Sequence, residues 1–228
     1  CAEEGALVTL ADINTEEAEQ VVAQVSDSGG SAVFCRADVT QSGDVKQMIE
    51  MATSTYGRLD GAFNNAGIEG AFTSITKMTE VEYDRTVNVD MKGVWLCLKY
   101  QVEAFLKQGS PGSIVSTASV AGLVGTRGGS AYCGAKHGVV GMTKSVALEC
   151  ARKAIRVNAV CPGVIQTPMV DRMTTEAGIS AQALVDQEPM ERLGLPQEIA
   201  EAVVWLLSEQ SSFVTGVAMP VDGGYIAV

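Results

Sequence analysis

The sequence predicts a doubly wound α/β domain, in which one parallel sheet is covered by helices on both faces. Short apolar runs alternate along the chain with longer helical patterns, as expected when each strand is followed by a crossover helix. The chain has 228 residues, of which 46% are hydrophobic, so it is large enough to bury one substantial core. No repeat, low-complexity tract or linker interrupts it, and residues 1–228 are therefore predicted to form a single domain.

The predicted strands are nearly continuous apolar runs, as strands buried on both faces require. They cover residues 7–11, 32–35, 61–64, 113–116 and 155–160, with a further edge strand near 217–221. The predicted helices cover residues 15–28, 41–56, 80–107, 132–151 and 196–207. Thr15 and Thr79 each precede acidic residues of a first turn, which is typical of helix starts.

Composition and charge argue against several classes of function. The formal charge of -11 disfavours nucleic-acid binding, because phosphate contacts need a basic surface. Six cysteines without a Cys-x-x-Cys pair fit free thiols, which predicts a reducing, cytoplasmic setting. The sequence has no long apolar run and no basic, apolar leader, so neither a membrane span nor secretion is predicted.

The single histidine, His137, suggests neither a metal site nor a hydrolase. No cluster of metal-ligating residues is evident around it in the sequence, so no metal is predicted. A Ser-His-Asp hydrolase would need His137 as its base, together with a Gly-x-Ser-x-Gly pentapeptide that the chain lacks. We expect His137 to have a structural or surface role.

A tyrosine and a lysine four residues apart are the clearest sign of chemistry. In a helix, Tyr132 and Lys136 share one face. The pKa of a free phenol is about 10, so a neighbouring ammonium that stabilises the phenolate would bring proton transfer nearer neutral pH. Ser119 follows the predicted strand 113–116, at the carboxyl end where parallel sheets bind ligands. The alternative interpretation is an exposed helical pair without a chemical role.

Six further motifs follow one another in a characteristic order. They are Leu10-Ala11-Asp12-Ile13-Asn14, Ala37-Asp38-Val39-Thr40, Asn64-Asn65-Ala66-Gly67, Val87-Asn88-Val89, Pro162-Gly163-Val164-Ile165-Gln166-Thr167-Pro168-Met169 and Val221-Asp222-Gly223-Gly224. Together with Ser119, Tyr132 and Lys136, they resemble the motifs of the short-chain dehydrogenases and reductases over nearly the whole chain. The resemblance implies a Rossmann-like fold and an oxidoreductase that transfers a hydride between a secondary alcohol or ketone and a nicotinamide cofactor.

The resemblance also implies a role for each matching residue. The implied catalytic residues are Asn88, Ser119, Tyr132 and Lys136. Tyr132 would exchange the proton, Ser119 would donate a hydrogen bond to the substrate oxygen, and Asn88 would hold a relay water. The implied cofactor-binding residues are Asp12, Asp38, Val39, Asn65, Ala66, Gly67, Tyr132, Lys136, Pro162, Gly163, Ile165 and Thr167.

Several of these residues have simpler interpretations when they are taken singly. Asn88 could satisfy backbone groups inside a helix, and Ser119 could be an ordinary loop hydroxyl. Asp38 could cap the helix that follows Thr40, and Asn65 could stabilise a turn. Their order and spacing favour the functional interpretation.

Asp12 predicts the choice of cofactor. A carboxylate at the end of a strand can accept hydrogen bonds from a ribose 2′-hydroxyl, and it would repel a 2′-phosphate. The next residues, Ile13, Asn14 and Thr15, supply no cation to offset that charge. The sequence therefore predicts NAD, with NADP less favoured.

One part of the family pattern is missing from the sequence. The family begins with a strand and a glycine-rich turn that binds the cofactor pyrophosphate. This chain opens at Cys1-Ala2-Glu3-Glu4-Gly5-Ala6, which resembles the end of the first helix. A central strand left out of a sheet would expose its neighbours, so we expect the sequence to be shortened by roughly 25 residues.

The residues do not identify the substrate, and a 3-oxoacyl thioester, a steroid, a sugar and a cyclic diol all stay open. The resemblance places a mobile lid at residues 169–190 and a substrate-side loop at residues 122–129; a surface helical hairpin is the alternative for the lid. It also implies a homotetramer, with helices around 92–107 and 132–151 in one interface and the apolar end 214–228 in another. A catalytically silent Rossmann-like protein that binds a ligand or partner is the rival class.

Overall fold

The computed structural model describes residues 1–175 and 180–227, and it confirms the predicted α/β class. All six predicted strands are present, each ending within two residues of its predicted bounds. They are β1 (Leu7–Asp12), β2 (Ser31–Arg36), β3 (Gly61–Asn64), β4 (Gly112–Thr117), β5 (Ile155–Pro162) and β6 (Ala218–Val221).

All strand pairs are parallel, but they form two separate groups. β1 pairs with β2, from Leu7 opposite Ser31 to Asp12 opposite Arg36. The other group has the order β3-β4-β5-β6. Within the described residues no strand pairs the two-stranded group with the four-stranded one.

Helices alternate with the strands, and the first five lie close to their predicted positions. They are α1 (Thr15–Asp27), α2 (Ser42–Tyr56), α3 (Glu80–Val87), α4 (Val94–Gln108), α5 (Ser130–Cys150), α6 (Pro168–Thr175), α7 (Ala181–Val185) and α8 (Pro196–Leu207). Within the described ranges, no helix combines the length and the apolar character that crossing a membrane requires.

The four-stranded sheet is covered on both faces, because neighbouring residues of a strand point in opposite directions. Ile114 of β4 is fully buried in a cluster with Leu98 of α4 and Val139 of α5. The next residue, Val115, packs on the other face with Val203 of α8. This two-sided core holds the carboxyl ends of β4 and β5 in a fixed relation to the start of α5.

The predicted helix 80–107 is not one continuous α-helix. A π-helical turn, Asn88–Gly93, separates α3 from α4. A wider turn of this kind is common at functional sites because it changes which side chains point inward. Gly93, at its end, lies so close to Val39 that a Cβ would stand 2.8 Å from Val39 Cγ2. The helix therefore packs directly on the turn after β2.

The start of α3 agrees with the sequence-based prediction, and the capping residue of α1 differs from it by one position. Thr79 caps α3 in a full capping box with Glu82. At α1 the capping side chain is that of Asn14, whose Oδ1 accepts from the Glu17 backbone N–H at 3.3 Å, and Thr15 is the first helical residue.

Candidate active site

Ser119 lies directly beyond the carboxyl end of β4. Its Oγ accepts a hydrogen bond from the Ala121 N–H at 3.1 Å, which orders a short 3-10 turn, Val120–Gly122. A Cβ on Gly122 would lie 2.7 Å from the Lys136 carbonyl oxygen. Because there is no room for a side chain at Gly122, this turn can pack against α5 and bring Ser119 next to the helix.

Tyr132 and Lys136 occupy one face of α5, as their spacing predicts. The Lys136 ammonium lies 5.4 Å from the centre of the Tyr132 ring and donates to the Thr117 carbonyl at 3.1 Å. Lys136 is buried, and only 4% of it is exposed. The Ser119 side chain also acts on Tyr132, since it lowers the pKa of the phenol. The fold thus brings the serine, the phenol and the ammonium together.

The acidity of Tyr132 differs from the expectation that Lys136 would lower its pKa. Burial raises the pKa of Tyr132 to about 12, and the nearby Asp90 acts in the same direction, whereas the Ser119 hydrogen bond lowers it. Burial also lowers the pKa of Lys136, and Asp90 and Cys161 oppose that shift. In the protein alone, Tyr132 is therefore a weak acid, because its phenolate would lose solvation.

Asn88 lies where α3 gives way to the π-helical turn. It is the first residue of the π-helical turn, and it is exposed. Among the residues that the structure describes, no hydrogen bond joins its side chain to Ser119, Tyr132 or Lys136. Its predicted role as the holder of a relay water stays a prediction.

Sequence reasoning missed Asp90, the acid two residues after Asn88. Asp90 is fully buried, and its Oδ1 accepts from the Ile68 N–H at 2.9 Å. Its helical neighbours at positions 86, 93 and 94 are buried as well. A carboxylate at that spacing, on the inward face of a helix pattern, is the signal that could have identified it.

The predicted ribose-binding acid, Asp12, stands exposed at the carboxyl end of β1. Its Oδ1 accepts from the Asn14 N–H at 2.8 Å. Arg36, which sequence reasoning missed, is its partner in the register of β1 and β2. A cation therefore lies on the neighbouring strand, although the residues after Asp12 in the chain supply none.

Asp38 and Val39 form a tight turn after β2. Asp38 Oδ1 accepts from both the backbone N–H and the hydroxyl of Thr40, each at 2.8 Å. The N-cap of α2 is Gln41, so Asp38 is not its cap. Val39 packs beside the buried Val45 and Cys97 and also against Gly93.

Asn65, Ala66 and Gly67 follow β3 and pass close to Lys136. Asn65 Oδ1 accepts from the Thr117 hydroxyl at 2.8 Å, which ties the ends of β3 and β4 together. A Cβ on Gly67 would lie 2.9 Å from Asp90 Oδ1 and 3.5 Å from Lys136 Nζ. Ala66 is exposed. The backbone of this segment therefore lies beside the Lys136 ammonium.

The segment from Pro162 to Thr167 leaves the end of β5. The Gly163 N–H donates to the Val221 carbonyl at 3.1 Å, and Ile165 forms an isolated parallel bridge with Gly194. The Thr167 hydroxyl donates to the Ile165 carbonyl at 3.2 Å, just before α6 begins. These contacts fix the segment on the same edge of the sheet as Ser119 and Gly67.

The segment after β3 lies beside Tyr132. The Phe72 ring lies 6.0 Å from the Tyr132 ring, and the Thr73 N–H donates to the Gly128 carbonyl at 3.0 Å. Glu69 pairs with Arg172 of α6 at 3.1 Å, and this hydrogen bond lowers the pKa of Glu69. The segment after β3 is therefore tied both to the 122–129 loop and to the start of the predicted lid.

The predicted lid, 169–190, forms α6 and α7. Of its apolar residues, Val170 and Leu184 are buried, whereas Met190 is 64% exposed. Gly178 and Ile179 lie outside the described residues, and so does the side chain of Met173. No group of three or more His, Cys, Asp and Glu suited to a metal ion occurs in the described part of the chain.

Comparison with known proteins identifies the family. A family model described as enoyl-(acyl carrier protein) reductase matches residues 1–226. The 2,5-dichloro-2,5-cyclohexadiene-1,4-diol dehydrogenase of Sphingobium indicum is 44% identical over 225 residues, which are 98% of this chain and 88% of that protein. The cyclohexanol dehydrogenase of an Acinetobacter species is 42% identical over 224 residues, covering 98% of this chain and 86% of that protein.

A solved structure agrees with this assignment. The structure of ElxO with NADP bound has a TM-score of 0.92 and 29% identity to this chain, and the match covers 100% of this chain and 91% of that one. The matching family model, the two identities above 40% and the shared fold all identify the same family. The chain belongs to the short-chain dehydrogenase/reductase family, whose members are oxidoreductases that use NAD or NADP.

Proposed function

We propose that the chain transfers a hydride between a secondary alcohol or ketone and a nicotinamide dinucleotide, with Asn88, Ser119, Tyr132 and Lys136 as its catalytic residues. The observation that carries the proposal is the grouping of a hydroxyl, a phenol and a buried ammonium at the carboxyl end of a parallel sheet. Ligands of such sheets bind at this edge.

The described residues fit both ends of a dinucleotide. Lys136 has three N–H donors, of which one serves the Thr117 carbonyl, so donors are left for ribose hydroxyls beside Gly67. Asp12 has a carboxylate oxygen that Asn14 does not use. Asp38 and Val39 would lie at the adenine, Asn65 and Ala66 beside the ribose, and Pro162, Gly163, Ile165 and Thr167 at the carboxamide. The described residues do not include a glycine-rich turn for the phosphates. Their fit to a dinucleotide therefore covers its nicotinamide and adenosine ends.

When bound, the oxidised cofactor would supply a hydride acceptor and a positive charge. Tyr132 takes the proton of the substrate hydroxyl, and Ser119 Oγ donates to the substrate oxygen as negative charge develops there. Lys136 favours the phenolate electrostatically. Because burial raises the pKa of Tyr132 in the protein alone, the added positive charge of the oxidised cofactor would favour the phenolate and help it act as a base.

The test compares Tyr132→Phe with a control, Tyr83→Phe, whose ring is half exposed on α3. For oxidation of cyclohexanol with NAD, we expect Tyr132→Phe to lower kcat by a factor of about 100 to 10,000, the range typical of a lost general base. NADH affinity, followed by nicotinamide fluorescence, should change little. Near-normal kcat in a folded Tyr132→Phe variant would remove the proposed mechanism.

NAD is the proposed cofactor, because the Asp12 carboxylate favours a ribose 2′-hydroxyl over a phosphate. Arg36 opposes this preference, since its position in the register would suit a 2′-phosphate. The NADP in the ElxO structure belongs to that protein. The ratio of kcat/KM for NAD to that for NADP decides between the two.

We propose a ring-shaped alcohol or ketone as the substrate. The Phe72 ring lies beside Tyr132 and is 40% exposed, so it presents an apolar surface next to the reacting phenol. The names of two relatives, the cyclohexadiene-diol and cyclohexanol dehydrogenases, support this class. A panel of cyclic and open-chain secondary alcohols, assayed for NADH formation, tests it.

The rival proposal is a catalytically silent protein that binds a nucleotide or a partner. The raised pKa of Tyr132 supports it for alcohol oxidation only, because a protonated phenol cannot accept the substrate proton, although it can donate one in ketone reduction. Fluorescence titration with NADH together with the alcohol panel separates the two. Binding without any turnover would favour the silent protein.

We propose a homotetramer in the cytoplasm. Exposed apolar side chains on α4 and α5, Trp95, Leu106 and Leu148, would be covered in one interface, and Phe213 in another. All six cysteines carry free thiols, which suits a reducing compartment. Sedimentation velocity should show a tetramer that Leu148→Glu weakens. A single monomeric species would remove the claim.

A further inference from the structure

Asp90 is a buried acid beside the catalytic groups. None of its surface is exposed. Oδ1 accepts from the Ile68 N–H at 2.9 Å, whereas no hydrogen-bond partner for the buried Oδ2 occurs among the described residues. A buried carboxylate is costly unless charge or hydrogen bonds compensate for it, so its position calls for an explanation.

Charged and titratable groups reach Asp90 from two neighbouring elements. Burial raises the pKa of Asp90, Lys136 of α5 lowers it and Glu69 of the segment after β3 raises it, while Asp90 in turn acts on Tyr132 of α5. Lys136 is itself faced by Cys161 of β5 as well as by Asp90. Lys136 is therefore the cation among the groups that act on Asp90, and both side chains are almost fully buried.

The Asp90 carboxylate and the Lys136 ammonium both lie close to Gly67. A Cβ on this glycine would lie 2.9 Å from Asp90 Oδ1 and 3.5 Å from Lys136 Nζ. The next residue, Ile68, donates its N–H to Asp90. The backbone turn at Gly67 and Ile68 thus lies close to both charges and is hydrogen-bonded to one of them.

We propose that Asp90 is a positioning residue of this site, which holds the turn at Gly67 and Ile68 against α5 and balances the charge of the buried Lys136 ammonium. The proposal rests on the proposed function, because Lys136 and the turn are the groups that would bind the ribose. Asp90 itself touches neither substrate nor cofactor.

The Asp90 carboxylate raises the pKa of both partners on α5, because it favours the lysine cation and disfavours the tyrosine anion. Burial lowers the pKa of Lys136, and the Asp90 carboxylate opposes this by favouring the ammonium. The same negative charge raises the pKa of Tyr132, since a second anion nearby is unfavourable. Loss of the charge should therefore lower the pKa of both Lys136 and Tyr132.

The first experiment uses Asp90→Asn, which keeps an oxygen to accept from Ile68 but removes the charge. In the cofactor-free protein, the 13Cε resonance of Lys136 is followed against pH and assigned with Lys136→Arg. We expect its midpoint to fall by about one pH unit or more in Asp90→Asn. The control is Asp84→Asn, an exposed carboxyl on α3, which should leave the midpoint in place.

An unchanged Lys136 midpoint in folded Asp90→Asn would overturn the proposal, because a purely structural role survives this substitution. A second measurement needs no variant. The 13Cγ resonance of Asp90 in the wild-type chain should report an ionised carboxylate at pH 7, and a protonated Asp90 there would also overturn it.

Activity separates this proposal from the proposed function. In an active enzyme, Asp90→Asn should shift the pH profile of kcat/KM to lower pH, and Asp90→Glu should restore much of the wild-type profile. An active wild type whose pH profile does not move in Asp90→Asn overturns the role of Asp90 alone. A wild type that neither binds NADH nor oxidises alcohols, yet shows the Lys136 shift, overturns the proposed function and supports the charge pair.

Discussion

The Phe72 ring lies 6.0 Å from the Tyr132 ring, centre to centre, and the two ring planes are inclined by 46°. Phe72 also packs against Gly129, where a Cβ would stand 3.0 Å from its ring. The absence of a side chain at Gly129 thus allows an aromatic wall to stand beside the reacting phenol. Phe72 belongs to the segment after β3, and its ring lies beside Tyr132 because this segment packs against α5.

Replacement of Phe72 by alanine should reduce the preference for ring substrates. Burial of apolar surface contributes about 25 cal/mol per Å², so losing a few tens of Å² of contact should lower kcat/KM for cyclohexanol by about 2- to 10-fold. The value for 2-butanol should change less, because a short open chain covers less of the ring. Ile75→Ala, an exposed position in the same segment, is the control. An equal loss for both alcohols would contradict the assignment.

Replacement of Asp12 by alanine should shift the cofactor preference toward NADP, since the charge that repels a 2′-phosphate is lost. We expect the NADP to NAD ratio of kcat/KM to rise by roughly tenfold, which corresponds to about 1.4 kcal/mol. Arg36 stands opposite Asp12, so the double variant Asp12→Ala with Arg36→Ala should lose most of this gain. A ratio that does not move in Asp12→Ala would show that Asp12 lies away from the ribose.

The raised pKa of Tyr132 predicts a loss of stability in alkali. The folded-state pKa is about 12 against an ordinary value of 10.0, so between these values the native state binds more protons than the unfolded one. The contribution of Tyr132 is therefore fully present below pH 10 and is lost as the pH rises toward 12. The free energy of unfolding should fall more steeply across this range in the wild type than in Tyr132→Phe. Parallel curves would contradict the raised pKa.

Replacement of Gly122 by alanine should disturb both the fold and the site. The new Cβ would meet the Lys136 carbonyl at 2.7 Å, so the turn must move away from α5 and carry Ser119 with it. We expect a loss of about 1–3 kcal/mol in the free energy of unfolding, and a fall in kcat larger than the change in KM. Gly125→Ala is a matched control in the same loop, where a Cβ meets nothing within 4 Å. Equal stability of the two variants would contradict the packing.

The strands could be predicted because each is a nearly continuous apolar run, and this pattern reports burial on both faces directly. The helix at 80–107 was only partly predicted. Its periodicity extends through the π-helical turn Asn88–Gly93, and hydrophobic spacing hardly distinguishes a turn with one more residue from an ordinary one.

The site was predicted as far as local spacing determines it. Tyr132 and Lys136 share a helix face because they are four residues apart. Ser119 lies near them because it follows β4, and α5 packs on the sheet that contains β4. Arg36 and Asp90 were missed, since each acts on a residue that is distant in the chain. Arg36 meets Asp12 through the register of two strands, and Asp90 meets Lys136 across two packed helices.

The amino-acid sequence by itself determined the α/β class, the positions of the strands, the family and the set of reactive side chains, because these depend on residue type and short-range periodicity. Only the tertiary structure decided how acidic those side chains are and what surrounds them. Burial of Tyr132 and Lys136, and the approach of Asp90 to both, are produced by packing between distant segments, and the cost of removing charge from water then sets their pKa values.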